Sequence, residues 1–258
     1  GLLDFGLQIP NHLETVFGNT AVQTSADVQP MQTHYAFTCG GVDLKVTFTA
    51  PLFMEDLKLL SRPVNYLTYS VAARDGREHE VEVYFEASPR WALDQPYQQS
   101  ASKGYEADGL LYLKSGSKEQ NILAKQGDDL RIDWGYFYMV AGKENTAYSV
   151  GNSTELRKNF VNGTLNSASL EGEDSNGNMA LVRSHGKVKN VTDKIMLGYD
   201  DIYSIQYFGT NLRPYWNSKG DRTIEAEMLA AYNEYDKLLA RCYAFDKKLM
   251  EDASAAGG

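Results

Sequence analysis

The densest concentration of groups able to do chemistry is the run Gly127-Asp128-Asp129-Leu130-Arg131-Ile132-Asp133-Trp134-Gly135-Tyr136. If Asp128, Asp129 and Asp133 project into a cleft, they could act on a substrate as acid and base, or hold a cation. The same alternation also fits a strand, with Leu130, Ile132 and Trp134 on a core and Asp129, Arg131 and Asp133 on the opposite side. There the arginine would neutralise both carboxylates, and the run would be a salt-bridged solvent face. A second candidate is Arg213-Pro214-Tyr215-Trp216-Asn217. Its Arg213, Tyr215 and Trp216 are residue types enriched at interfaces, so it suits a domain contact or a ligand site.

Complete catalytic signatures are missing: there is no His-Glu-x-x-His, no Walker-type glycine loop and no cysteine pair at metal spacing. Gly151-Asn152-Ser153-Thr154-Glu155 opens like a nucleophile elbow but lacks the second glycine. Gly172 to Asn178 has the composition of a calcium loop. Counted from Asp174, however, Met179 stands where the loop needs glycine, so a hairpin turn is expected. His12, His34, His79 and His185 are scattered without paired spacing. No metal or cofactor is predicted. Trp91, Tyr97, Tyr105, Trp134 and Trp216 offer an alternative of another kind, a carbohydrate platform, if their rings are exposed.

These residues must be positioned by strands. Val42, Leu44, Val46 and Phe48 alternate with Asp43, Lys45, Thr47 and Thr49, and Val81, Val83, Phe85 and Ala87 alternate with Glu80, Glu82, Tyr84 and Glu86. Both are half-buried strands. Gly40-Gly41 and Asp75-Gly76 permit positive φ and predict two hairpins, the second joining the strand of Leu67, Tyr69 and Val71 to that of Val81. Further strands are expected near Leu110 to Lys114, Leu130 to Val140, Met179 to Val188, Asp193 to Leu197 and Ile202 to Phe208. Residues 52–63 break the alternation with a helical turn or two and suggest a crossover between sheets, and Pro89 to Gly109 reads as a long loop. Many short strands between turn signals predict a mainly β fold, a large antiparallel sandwich over residues 1–220.

From Asp221, the expected N-cap, the pattern becomes helical almost to Gly258. Ile224, Met228, Tyr232, Tyr235, Leu238, Leu239, Cys242, Phe245 and Leu249 recur at steps of three or four and form one stripe. About 30 residues at 1.5 Å each make a rod of roughly 45 Å. Its partner is either the sheet of this chain or a domain beyond it, and an uncovered stripe would allow self-association. A chain that stops on its longest helix is expected to stop mid-protein.

The 258 residues are 43% hydrophobic and 12% aromatic, enough for a sizeable core. A net charge of −9 without any basic run argues against a nucleic-acid partner. No apolar run approaches the length of a membrane span. Cys39 and Cys242 suit small buried hydrophobes, with a disulfide as the alternative, and do not fix the compartment.

Several separated segments carry a family resemblance. They are Pro51 to Tyr69 with its Leu-Phe-Met-Glu-Asp-Leu-Lys-Leu-Leu-Ser-Arg-Pro core, Val83-Tyr84-Phe85 with Ala87-Ser88-Pro89, Gly127 to Tyr136, Asn211 to Asn217, and Phe245 to Met250. In that order they resemble the glutaminase A family of fungi and Bacteroides-type bacteria. The resemblance implies an N-terminal β-sandwich region that precedes a helical toroidal catalytic domain, with residues 221–258 leading into it. It also implies a secreted or periplasmic parent enzyme hydrolysing L-glutamine to glutamate and ammonia, and a segment that is not itself catalytic. It assigns no catalytic residue to any position here. The same plan resembles that of several glycoside hydrolases, which makes a sugar-processing parent the alternative. A self-sufficient enzyme using Asp128, Asp129 or Asp133 is a third reading.

Overall fold

The computed structural model describes residues 20–128, 130–165 and 177–257. Most strands join one wide antiparallel sheet. Its spatial order is β1 (Val22–Val28), β2 (Gln32–Cys39), β3 (Val42–Thr49), β4 (Val64–Ala73), β11 (Asn190–Asp200), β8 (Tyr136–Gly142), β7 (Leu110–Ser117) and β6 (Ser100–Ala107). A three-stranded sheet of β5 (His79–Ala87), β10 (Asn178–Val188) and β9 (Thr146–Gly151) covers one face. The helix α3 (Ile224–Ala255) covers part of the other. Short helices α1 (Leu57–Ser61) and α2 (Ser153–Val161) and a ribbon of β12 (Ile205–Tyr207) and β13 (Thr210–Leu212) complete the described chain. The architecture is the mainly β, sandwich-like fold with a long C-terminal helix that the pattern predicts.

Strand period 2 separates two cores. Tyr66, Tyr112, Tyr138 and Met196 point to the helix and meet Met228 and Tyr235. Their neighbours Leu67, Leu113, Met139 and Ile195 point the other way, onto Met179 and Leu181 of the smaller sheet. The central strands are therefore buried on both faces, which explains the near-continuous apolar runs in β7 and β8.

Two connections are exchanged relative to expectation. The β2–β3 hairpin forms at Gly40-Gly41, in register Cys39↔Val42. Asp75-Gly76, in contrast, does not pair β4 with β5. Both edges of β4 are occupied, by β3 and by β11, so the chain leaves the sheet there and β5 pairs with β10 in the smaller one. Residues 52–63 are correspondingly no crossover between sheets: β3 and β4 pair directly, with Thr49 opposite Tyr66. The excursion instead tucks Phe53 and Leu59 into the helix-side core. The stretch after Pro89 is also not one long loop, because Ser100–Ala107 is strand β6.

Helix α3 begins two residues later than expected, with Thr223 as N-cap, its Oγ1 accepting the Ala226 N–H at 3.2 Å. Tyr66 donates its hydroxyl to the Ala231 carbonyl at 2.8 Å, and the Thr68 and Tyr235 hydroxyls meet at 2.7 Å. The apolar stripe is divided. Ile224, Met228, Tyr235, Leu238 and Cys242 are buried against this chain's own sheet and connections, Tyr232 and Leu239 are half-buried, and Phe245 and Leu249 stay exposed. Cys39 and Cys242 are free thiols, so the disulfide alternative falls. Among the described residues no helix is long and apolar enough to cross a membrane.

Two acids, Glu227 and Asp246, lie on the buried side of α3. Asp246 is 3% exposed, and its Oδ1 accepts the Met31 N–H at 2.8 Å. Burial raises its pKa above the ordinary aspartate range, opposed by that hydrogen bond and by His34. A carboxyl with a raised folded-state pKa favours folding while protonated, and that contribution fades as pH rises from about 4 through the raised value. Asp246→Asn keeps an acceptor for Met31 and removes the buried charge. Unfolding free energies measured across this window should show the wild type losing stability relative to the variant as pH increases; parallel curves would refute the assignment.

Candidate functional site

The first candidate run lies in the connection from β7 to β8, and it is not a strand. Gln120 closes the base of this loop: its Nε2 donates to the carbonyls of Ser117 at 2.8 Å and Gly135 at 3.1 Å, and its Oε1 accepts the Gly135 N–H at 2.8 Å. Strand β8 starts only at Tyr136, after Gly135 turns the chain at φ +80°. Without strand geometry, period 2 does not govern residues 130–135, and the expected faces are not realised. Leu130 and Ile132 are exposed, Arg131 is exposed, and the consecutive residues Asp133 and Trp134 are both buried.

Asp133 is an internal brace. Its Oδ2 accepts from Lys125 Nζ at 2.7 Å and from Gln98 Nε2 at 3.1 Å, and its Oδ1 is buried without a partner among the described residues. Lys125 also reaches Asp94 at 3.0 Å. That bond holds the Asp94 carboxyl below the usual range, and the bonds to Asp133 and then Asp94 hold the lysine above its own. Gln98 Oε1 accepts the N–H groups of Asp94 and Gln95 at 2.8 and 2.9 Å. The arrangement ties the loop before β6 to the loop before β8. Asp128 is exposed and takes no part in it, and Asp129 lies outside the described residues. The described acids of the run therefore do not converge on one point. Among the described residues no His, Cys, Asp and Glu side chains form a group of three that could hold a metal ion.

Trp134 fixes the neighbouring corner. Its indole N–H donates to the carbonyls of Asp201 at 2.8 Å and Tyr203 at 3.0 Å, and the Tyr199 hydroxyl donates to the Trp134 carbonyl. Burial raises the pKa of Tyr199, which keeps it a donor. The second candidate meets the first at Tyr203. The Arg213 guanidinium lies 4.7 Å from the Tyr203 ring centre, and its Nη2 donates to the hydroxyl at 3.4 Å. Trp216 is buried in a 3₁₀ turn, Tyr215–Asn217, that packs beside α1, whereas Tyr215 is exposed. The two candidate clusters thus meet at Tyr203, which accepts from Trp134 through its carbonyl and stacks under Arg213 with its ring, while Tyr215 and Trp216 lie apart from this corner.

Trp134→Phe keeps the apolar ring and removes the donor. It should cost about 1–3 kcal/mol by orphaning part of the corner's carbonyl pairing, measured by urea unfolding. An unchanged midpoint would mean that the indole bonds do not hold the corner.

Sequence reasoning missed Gln98, Gln120, Lys125, Tyr199 and Tyr203. Each is an ordinary loop or strand-end residue, the partners of Gln98, Tyr199 and Tyr203 lie far away in sequence, and the only available signal was the length of the polar loop after Pro89. Of the aromatic residues considered for sugar stacking, Trp134 and Trp216 are buried, and Tyr105 stacks on Tyr112 at 5.1 Å and 9°. Trp91 and Tyr97 remain exposed.

Fold and corner together define a mainly β, sandwich-like domain whose candidate residues brace loops at one end of the strands. The family model described as Domain of unknown function (DUF5127) matches residues 31–252, and the chain belongs to that family. It is 26% identical over 257 residues to Glutaminase A of Aspergillus oryzae (strain ATCC 42149 / RIB 40), covering 93% of this chain and 36% of that protein. The chain thus spans little more than a third of the length of that relative. Among solved structures, the heparan sulfate lyase HepC from Pedobacter heparinus and a mutant of it are 6% identical to this chain, with TM-scores of 0.36 and 0.37. Each alignment covers 70% of this chain and 22% of the lyase.

Proposed function

We propose that this chain is the non-catalytic β-sandwich domain of a longer, glutaminase-like amidohydrolase. In this reading residues 1–220 form the sandwich, residues 221–258 lead into a helical catalytic domain, and the braced corner of Asp133, Trp134, Tyr203 and Arg213 contributes to the rim of that domain's active site. The observation that carries the reading is the uneven coverage of the Aspergillus glutaminase, nearly all of this chain against little more than a third of the relative. The exposed Phe245 and Leu249 at the far end of α3 supply an apolar surface for such a domain, or for self-association when it is absent.

Ammonia release from L-glutamine should stay at background for this chain alone. Turnover comparable to that of a full-length glutaminase relative would overturn the accessory role. Exposed Trp91 and Tyr97 support one further reading, a carbohydrate-binding module. A glycan array without hits removes it.

A further inference from the structure

Strands β6 and β7 pair in a register that sets Lys103 directly opposite Lys114. Like charges facing each other across a strand pair are destabilising unless something neutralises them. Here nothing in the described protein does so by direct contact: neither ammonium has a carboxylate within ion-pair distance among the described residues. The surroundings are tyrosines. Lys114 Nζ lies 3.6 Å from the ring centre of Tyr136 and 5.7 Å from that of Tyr138, and Lys103 Nζ lies 5.6 Å from that of Tyr105. Lys114 is half-buried, and its pKa is lowered first by that burial and then by Lys103.

Both acids that act on Lys114 are engaged elsewhere. Glu225 Oε1 accepts the Tyr105 hydroxyl at 2.7 Å, and Asp200 Oδ1 accepts the Ile202 N–H at 3.0 Å. Burial also raises the Asp200 pKa, which weakens it as a counter-charge. The lysines lie just past the start of α3. The first turn of the helix sits over Tyr112, whose hydroxyl donates to the Glu225 carbonyl at 3.4 Å, and Lys114 is the next residue of β7 on the same face. The sheet surface there is therefore polar, cationic and bordered by aromatic rings.

We infer that the Lys103–Lys114 pair is a binding site for an oxyanion, a carboxylate, sulfate or phosphate group carried by a ligand. Two ammonium groups on adjacent strands converge on one charged group, and each adds a charge-assisted hydrogen bond. The Tyr136 ring holds the Lys114 ammonium by a cation–π contact, and among the described residues that charge has no ion-paired carboxylate. This inference does not depend on the parent enzyme's activity.

The test is NMR of this chain with lysines labelled with ¹³C at Cε, in sodium chloride and then in sodium sulfate, phosphate or acetate at matched ionic strength. Lys114→Met assigns the Lys114 signal. Saturable shifts of the Lys103 and Lys114 signals, with a rise in the Lys114 pKa, are expected in at least one oxyanion salt. Acetate acting best points to carboxylate ligands, and sulfate or phosphate acting best points to tetrahedral anions. Lys103→Met should weaken the response about tenfold through loss of one charged hydrogen bond. In chloride it should also melt no lower than the wild type, because a like-charge neighbour is gone. No saturable shift in any salt, or an unchanged response in Lys103→Met, overturns the site.

Discussion

Glu227→Ala is expected to lower the unfolding free energy by about 3–5 kcal/mol, the range for stripping one partner from a buried ion pair. The Glu227 side chain is 3% exposed in the first turn of α3. Its Oε2 accepts from Arg62 Nε at 3.1 Å, and its Oε1 pairs with Arg222 Nη2. Arg62 also reaches Glu234 at 2.8 Å, so one guanidinium from the α1–β4 connection grips the helix at two points about two turns apart. Without Glu227 the Arg62 charge keeps only the half-exposed Glu234, and Arg222 loses its anchor. Glu227→Gln preserves shape and should fall between wild type and alanine. Urea unfolding decides the matter through the midpoint at unchanged slope. A loss below about 1 kcal/mol would place the clamp with ordinary surface pairs.

Gly135→Ala should be comparably damaging, with a loss of about 2–4 kcal/mol, because two costs coincide. Its φ of +80° suits glycine, and an L side chain there costs about 1–2 kcal/mol. A Cβ would also run into the Asp200 carbonyl and lie 2.9 Å from the Asp201 Cα, and backbone cannot rotate aside as a side chain can. Gly40→Ala is the control. It too has positive φ, +57°, but nothing within 4 Å of the added carbon, so only the conformational cost should appear. Trp134 reports the same event by fluorescence, since its indole is bonded to the corner that the new methyl would displace. Equal losses at both glycines would show that crowding against Asp200 contributes nothing.

What could be read from sequence follows the range of the forces involved. The β2–β3 hairpin and α3 are local: alternation with Gly40-Gly41, and apolar steps of three or four, define them without reference to distant residues. The fate of β4 is not local. Its second edge is claimed by β11, more than a hundred residues later, and nothing near Asp75-Gly76 announces that the hairpin signal there will serve a change of sheet. The candidate run shows the same limit. Composition picked out Asp133 and Trp134, but their burial is decided by Lys125, Gln98 and Tyr203, which arrive from three separate connections. Asp246 was equally hidden, because a helical stripe is recognised by apolar positions, whereas this acid answers to the Met31 N–H across the fold.

The order of strands also constrains how this chain is made. β11 sits between the block β1 to β4 and the block β8, β7 and β6, and hydrogen-bonds to both. Until the ribosome has released Asp200, the two halves of the wide sheet have no strand to join them, and β4 and β8 each present a bare edge to any chaperone at the exit tunnel. Closure of the wide sheet thus waits for its keystone strand, β11.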